Sequence, residues 1–246
     1  AGRLPIYMMF VSALFPSRLQ APVLFGIYAS GVLLALCCAR LLKNTLFKAP
    51  QRDSLHHMKR LRLPSLRKVG ILMWSRAFMY VRKAGTFILG ASIILWFLNT
   101  YPRPEENTAP TNAAAMEHSY AGQIGHWMEP VTQVAGFDWK INSALVGAFA
   151  AKEIFVTQMG ILYAVEDGNS GPAAQQTLNA RLKANYTPLQ GISIMIFCLI
   201  ALPCIGTVTV AKREAGTWWF ALAQFGGLTL LGFATATLIY QAGLLL

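Results

Sequence analysis

The chain has 246 residues, of which 55% are hydrophobic and only 13% charged. Soluble domains carry about 25% charged residues, and the apolar residues here form nearly uncharged blocks close to the ~20 residues that cross ~30 Å of hydrocarbon, which excludes an ordinary soluble core. The net charge of +11 does not indicate nucleic acid, because 12 of the 21 Lys and Arg lie between Arg40 and Lys83, the pattern of a cytoplasmic membrane loop without any nucleic-acid motif.

Leu4–Phe15 is apolar but short and reads as the second part of a spanning helix, followed by a turn at Pro16–Ala21. The chain opens at Ala1, without Met and inside a hydrophobic phrase, which predicts a piece of a longer protein. Pro22–Leu42 is long enough for a full span, and Arg40 and Lys43 place its end in the cytoplasm. Residues 43–65 form a basic loop with Pro50 and Pro64 as helix breakers. Leu66–Lys83 mixes apolar residues with five cations, as expected of a helix lying at the inner interface. Ala84–Tyr101 then crosses outward into an aromatic belt.

Residues 102–140 are polar and acidic, which suits an outer loop, and 166–187 form a second polar loop with turn signals at Gly168, Gly171 and Pro172. Between them, Asn142–Val165 is apolar except for Lys152 and Glu153. Pro188–Ala211 is the next span and ends at the cations Lys212 and Arg213, and Gly216–Leu246 is the last. If Lys212 and Arg213 are inside, segment 142–165 begins and ends on the same side of the membrane. Either it is a re-entrant hairpin turning near Lys152–Glu153, since irregular backbone at membrane depth is tolerated where it lines a cavity, or one of the charge-based assignments does not hold.

Two constellations carry chemistry. Charges within a membrane segment cost at least ~2.5–3.5 kcal/mol and usually mark pathways or internal pairs. Lys152 and Glu153 are adjacent, so they point in different directions and each needs its own partner. Glu153 facing a cation path is the functional reading; solvation at a hairpin tip is the bland one. The second constellation is Leu202–Arg213, LPCIGTVTVAKR. Pro203 has no amide hydrogen to give the carbonyl of Leu199, and Gly206 loosens the next turn. The span is expected to break there, with Cys204 at the break, an arrangement that builds cation sites in transporters. A thiol suits a transition metal better than Na⁺ or Mg²⁺; a simple proline kink is the alternative. Met159 is a weaker thioether candidate. His56, His57, His118 and His126 read as solvated histidines, and Cys37, Cys38 and Cys198 as small apolar helix residues. No GxxxxGK[ST] loop occurs, so this chain has no phosphate cradle of that kind, and no nucleophile–base pair identifies an enzyme.

Several phrases resemble one family in order: GRLPIYMMF (2–10), RKAGTFILGASIILWFLNTYP (82–102), AAKEIFVTQMGILY (150–163), LPCIGTVTVAKREAGTWWFAL (202–222) and Tyr240–Gln241. They are similar to phrases of the ferrous iron transport protein B family. The basic phrase HHMKRLRLP has no close counterpart among them. The resemblance implies the permease portion of a GTPase-coupled Fe²⁺ importer of the bacterial cytoplasmic (inner) membrane. It implies Fe²⁺ as transported substrate, no tightly bound cofactor, and GTP only on a G domain outside this chain. The implied partners are the lipid bilayer, that G domain and an earlier gate region, with homo-oligomerisation left open and no nucleic acid.

The expected fold is all-α, a polytopic α-helical membrane protein with nucleoside-transporter-like gate helices and a re-entrant or broken segment. Residues 1–42 would close a central membrane region, 43–83 form the basic loop and interfacial helix, and 84–246 form the gate region. The expected metal path uses Cys204 as soft ligand and Glu153 as hard ligand, with Met159 as a weak third and Lys152, Pro203 and Gly206 at the gate. A nucleoside or organic-solute carrier with the same gate architecture is the alternative.

Overall fold

A computed structural model of the chain describes residues 3–45, 65–102, 116–150, 152–164, 172–201 and 203–245. Most of the basic loop, with His56 and His57, and the expected turn at Gly168 and Gly171 lie outside these residues. Among the described residues all regular structure is helical.

Helix α1 (Leu4–Leu14) is apolar almost throughout and buried on most of its circumference, with the stripe of Leu4, Met8 and Ser12 exposed. Ile6, Tyr7, Met9, Phe10, Val11 and Leu14 all belong to the core. Its buried side is packed against elements from the second half of the chain. The predicted turn at Pro16–Ala21 shrinks to Phe15–Pro16, because Pro16 ends α1 and α2 (Ser17–Thr45) begins at once. Pro22 lies inside α2, in its second turn, where it withholds an amide hydrogen from the Arg18 carbonyl.

Helix α3 (Leu66–Thr100) is a single helix of 35 residues, not an interfacial helix followed by a span. No proline interrupts it, and Arg82 and Lys83 are good helix formers, so charge alone does not stop it. The polar segment that follows contains α4 (Tyr120–Thr132), where Ser119 caps the first turn by accepting from the Gly122 amide. A 3₁₀ turn at Gln133–Ala135 follows, ended by Gly136 in the left-handed region at φ 80°.

The interrupted segment folds as two short helices, α5 (Trp139–Ala150) and α6 (Lys152–Ala164). At 1.5 Å per residue each is about 18–20 Å long, too short to cross the hydrocarbon alone. They pack antiparallel: Gly147 faces Ile154 and Gln158, and Ser143 lies against Gln158 farther from the tip. This is a hairpin whose two ends leave on one side and whose tip is at residues 150–152.

Helix α7 (Pro172–Asn185) occupies what reads as a polar loop. Pro172 is at its first position, where proline favours helix starts, and Leu178 and Leu182 place one narrow apolar stripe in the core. Then come α8 (Pro188–Ile200), α9 (Ile205–Ala215) and α10 (Trp218–Leu245). Thr187 and Gln190 form a reciprocal cap at the start of α8. Gly216, at φ 72°, ends α9 and turns the chain into α10, and the Lys212 ammonium sits 3.9 Å over the Trp218 ring.

Among the described residues two helices are long and apolar enough to cross a membrane, Ser17–Asn44 and Trp218–Leu245, with 28 residues each. Their apolar side chains point outward: Phe25 is 75% exposed and Leu230 71%. Apolar surface on this scale is unstable in water and stable against lipid. Over the described residues the molecule is an all-helical membrane protein in which the buried side of α1 packs against the hairpin, α7 and α8.

Candidate functional site

Between α8 and α9 the regular helix ends at Ile200 and starts again at Ile205. Laid end to end the two helices measure about 36 Å, more than the hydrocarbon thickness, so a span built from both would hold the break within the membrane. The amide of Ala201 donates to Phe197 at 2.8 Å and closes α8. Pro203, buried, gives no hydrogen to the carbonyl of Leu199. Cys204 is the N-cap of α9, and its carbonyl accepts from the amides of Thr207 and Val208 at 2.8 and 3.2 Å. The thiol lies 3.3 Å from the Thr207 hydroxyl and is half-buried. Gly206 is exposed beside it, and a side chain there would meet only the sulfur, at 3.7 Å.

The hairpin tip meets this break. Lys152, the first residue of α6, directs its ammonium at the end of α8, where Nζ donates to the carbonyls of Cys198 at 3.3 Å and Ala201 at 3.4 Å. The last carbonyls of a helix lack intrahelical donors and carry the negative end of its dipole, so a cation is the natural cap. Arg3, Cys198, Cys204 and Glu153 are all within electrostatic range of that ammonium.

The predicted residues therefore separate. Lys152, Pro203, Cys204 and Gly206 share the break. Glu153 is exposed on the other side of the tip, in line with Thr157 and Ile161 along one outward face of α6. Met159 is fully buried in the apolar core. Among the described residues no group of three His, Cys, Asp or Glu side chains is placed to hold a metal. What the break offers a cation is backbone carbonyls and one thiol, with a carboxylate at the neighbouring position.

Comparison with known proteins agrees with this architecture. The family described as nucleoside recognition, Gate, matches residues 81–218, which contain the hairpin, the break and α9. The family described as ferrous iron transport protein B C terminus matches residues 24–76. The chain belongs to the ferrous iron transport protein B family. It is similar to the Fe(2+) transporter of this family from Campylobacter jejuni, 36% identical over 226 residues, covering 91% of the chain and 36% of that protein. An Fe(2+) transport protein A/Fe(2+) transporter fusion protein from Porphyromonas gingivalis is 34% identical, covering all of the chain and 33% of that protein. A Staphylococcus aureus Fe(2+) transporter is 31% identical over 99% of the chain and 34% of its own length. The chain thus spans about a third of the length of these curated relatives. No solved structure matches it.

In this ferrous iron transport protein B chain the structure also gathers residues that sequence reasoning passed over. Cys198, read as a small packing residue, supplies a carbonyl to Lys152 from the last turn of α8. Arg3 and Tyr7, from the opening GRLPIY phrase, reach the same region and lie within electrostatic range of Cys198. The Tyr7 hydroxyl is buried there without a hydrogen-bond partner. The signal was the RLPIY phrase itself, whose Arg and Tyr have no local explanation at the start of an apolar helix.

A second polar group joins α3 to the hairpin. Asn99 and Gln158 pair reciprocally: Asn99 Nδ2 donates at 3.2 Å and Gln158 Nε2 at 2.9 Å. Gln158 is 1% exposed, so nothing but Asn99 and Ser143 satisfies it.

The open end of the hairpin is tied by a third group. Asp138 caps α5 by accepting from the Ile141 amide at 2.9 Å and also accepts from the Tyr186 hydroxyl at 2.9 and 3.1 Å. The Tyr163 hydroxyl donates to Tyr186 at 2.9 Å, and the Lys140 ammonium lies 4.7 Å over the Tyr163 ring. Burial pushes the Asp138 carboxyl above the ordinary carboxylate value and nearby Glu129 adds to it, against the opposing pull of the Ile141 amide, Tyr186 and Lys140. Burial and the Asp138 carboxylate likewise raise Tyr186. A carboxyl that holds its proton more tightly in the folded state stabilises the fold at acid pH and loses that contribution as pH rises through its folded value. Melting of the purified protein is expected to move to lower temperature over that interval, and Asp138→Asn, which keeps the cap, to flatten the slope. A slope unchanged in Asp138→Asn assigns the effect elsewhere.

On α4, His126 Nε2 lies 3.6 Å from Glu117 and Nδ1 3.2 Å from Glu129, with the ring stacked 4.8 Å from Trp139. The two carboxylates sit on opposite ring nitrogens, so the trio does not converge on one point as a chelate does.

Proposed function

We propose that the chain forms the permease portion of a bacterial inner-membrane Fe²⁺ importer, with multi-pass topology, and that Fe²⁺ passes the α8–α9 break. The observation that carries this reading is a hairpin tip docked, through Lys152, on the break between two consecutive helices, and transporters place cation sites at such breaks. The names of the relatives supply the metal. Cys204 offers a soft donor at the break and the carbonyls hard ones, and Fe²⁺ lies between those preferences. Glu153, exposed on α6, would compensate the charge of the metal from the side that a further part of the transporter covers. A loose set of donors rather than a closed cage suits an ion that must leave as readily as it binds. Fe²⁺ is substrate here, and the reading requires no tightly bound cofactor and no enzymatic step in this chain. The fused relative makes an Fe(2+) transport protein A a natural partner, together with a G domain and an earlier gate region.

The test is anaerobic Fe²⁺ uptake by the full-length transporter carrying Cys204→Ser or Glu153→Ala. Loss of a coordinating group at a pathway site is expected to lower uptake about tenfold or more in each. Uptake at the unaltered level in both would remove these residues from the path. The description of the Gate family favours one other cargo, a nucleoside; uridine uptake without Fe²⁺ uptake would select it.

A further inference from the structure

The Lys152 ammonium occupies the position in which a transported cation would be stabilised. Among the described residues it is bonded to backbone carbonyls and to no carboxylate: Cys198 at 3.3 Å and Ala201 at 3.4 Å. These carbonyls belong to the end of α8, whose dipole attracts positive charge. Pro203 withholds the donor that would otherwise neutralise the Leu199 carbonyl. Such a cluster of oxygens is a seat for a cation of any kind, and the chain itself provides the occupant. The ammonium stands on a flexible four-carbon stem rooted at the hairpin tip. It is half-buried, so the seat lies near a surface into which the stem can swing. Arg3 adds a second fixed positive charge within electrostatic range, so a metal ion and the seated ammonium cannot be neighbours without strong repulsion.

We propose that Lys152 is a tethered competitor of the transported metal: ammonium and divalent cation are mutually exclusive occupants of the carbonyl seat at the α8–α9 break. The inference rests on the metal-permease reading and adds to it a reason why the seat does not hold cations permanently. When a metal enters, the ammonium leaves towards the exposed side of the tip, where Glu153 stands. When the metal moves on, the ammonium returns, refills the oxygens and blocks backflow. No bond is made or broken in this exchange.

The experiment is equilibrium binding of Mn²⁺, a redox-stable probe with a preference for oxygen ligands, to the full-length protein in lipid nanodiscs. Lys152→Met removes the competitor and is expected to bind Mn²⁺ about tenfold more tightly than the unaltered protein, the factor that follows if the ammonium holds the seat about nine-tenths of the time. Lys152→Arg keeps a tethered cation and is expected to retain weak binding. Equal affinity in Lys152→Met and the unaltered protein overturns the proposal, as does weaker binding by a Lys152→Met protein that still melts normally.

A second measurement needs no substitution. Reductive methylation of Lys152 in the unaltered protein, followed by mass spectrometry, is expected to speed up several-fold when Mn²⁺ is present, because a displaced amine is accessible. A rate indifferent to Mn²⁺ also overturns the proposal. Unaltered protein that carries Fe²⁺ normally while failing both measurements sinks the competitor alone. Unaltered protein that carries no Fe²⁺ sinks the permease reading.

Discussion

Replacing Gly232 by leucine is expected to lower Fe²⁺ uptake by about tenfold or more, without altering any residue that would touch the ion. Gly232 lies on α10 where that helix passes the end of α8. A β-carbon there would meet the β-carbon of Ala201 at 2.7 Å, its amide nitrogen at 3.1 Å and its α-carbon at 3.3 Å. Most of these atoms are backbone and cannot rotate away, so the chain at the break must shift. The shift falls on a residue whose carbonyl accepts from Lys152 and whose amide closes α8. Overpacking of this kind costs about 1–3 kcal/mol. Here the strain is delivered to the seat itself. Gly232→Ala should fall between the two, and melting of the purified proteins should follow the order Gly, Ala, Leu. Normal uptake in Gly232→Leu would mean that the geometry of Ala201 is immaterial to transport.

The second large effect is expected at the pair Asn99–Gln158. Asn99 replaced by leucine leaves the buried Gln158 without its main partner, a loss of about 1–3 kcal/mol. Gln158 replaced by leucine leaves the half-buried Asn99 without its partner, at the lower end of that range. Because Gln158 is on the return helix of the hairpin and Asn99 near the end of α3, the single substitutions should also loosen the hairpin against α3. The double substitution Asn99→Leu with Gln158→Leu removes both polar groups together, and such exchanges are close to neutral. Resistance to unfolding in detergent across the four proteins gives the coupling directly. Additive losses would show that the two side chains are satisfied separately and that the pair is not a clamp.

Both sites show how far local pattern reaches in this protein. The break was legible because its cause is local: Pro203 and Gly206 act on their own turns. The hairpin was legible from Lys152 and Glu153 together with the parity of the flanking charges, since a charge in an apolar segment demands an explanation within that segment. It reached less far where hydrophobicity had to be turned into surroundings. Leu4–Phe15 is as apolar as a lipid-facing helix, and only the packing of α7 and α8 against it decides which side of α1 is buried. The segment containing α7 has too few apolar residues to read as a helix, yet Leu178 and Leu182 suffice once a groove exists to receive them.

The amino-acid sequence alone determined the membrane class, the break at Pro203, the interruption at Lys152–Glu153 and the family, because each depends on composition, on the chemistry of single residues or on ordered phrases. Tertiary structure alone decided which way the charges face. Lys152 and Glu153 are neighbours in sequence, but one ammonium finds carbonyls 46 and 49 residues away while the carboxylate looks outward. No periodicity within a helix specifies such a partner. It is chosen when the hairpin docks on α8, and with it the chain acquires a cation of its own at the place where a transported one would rest.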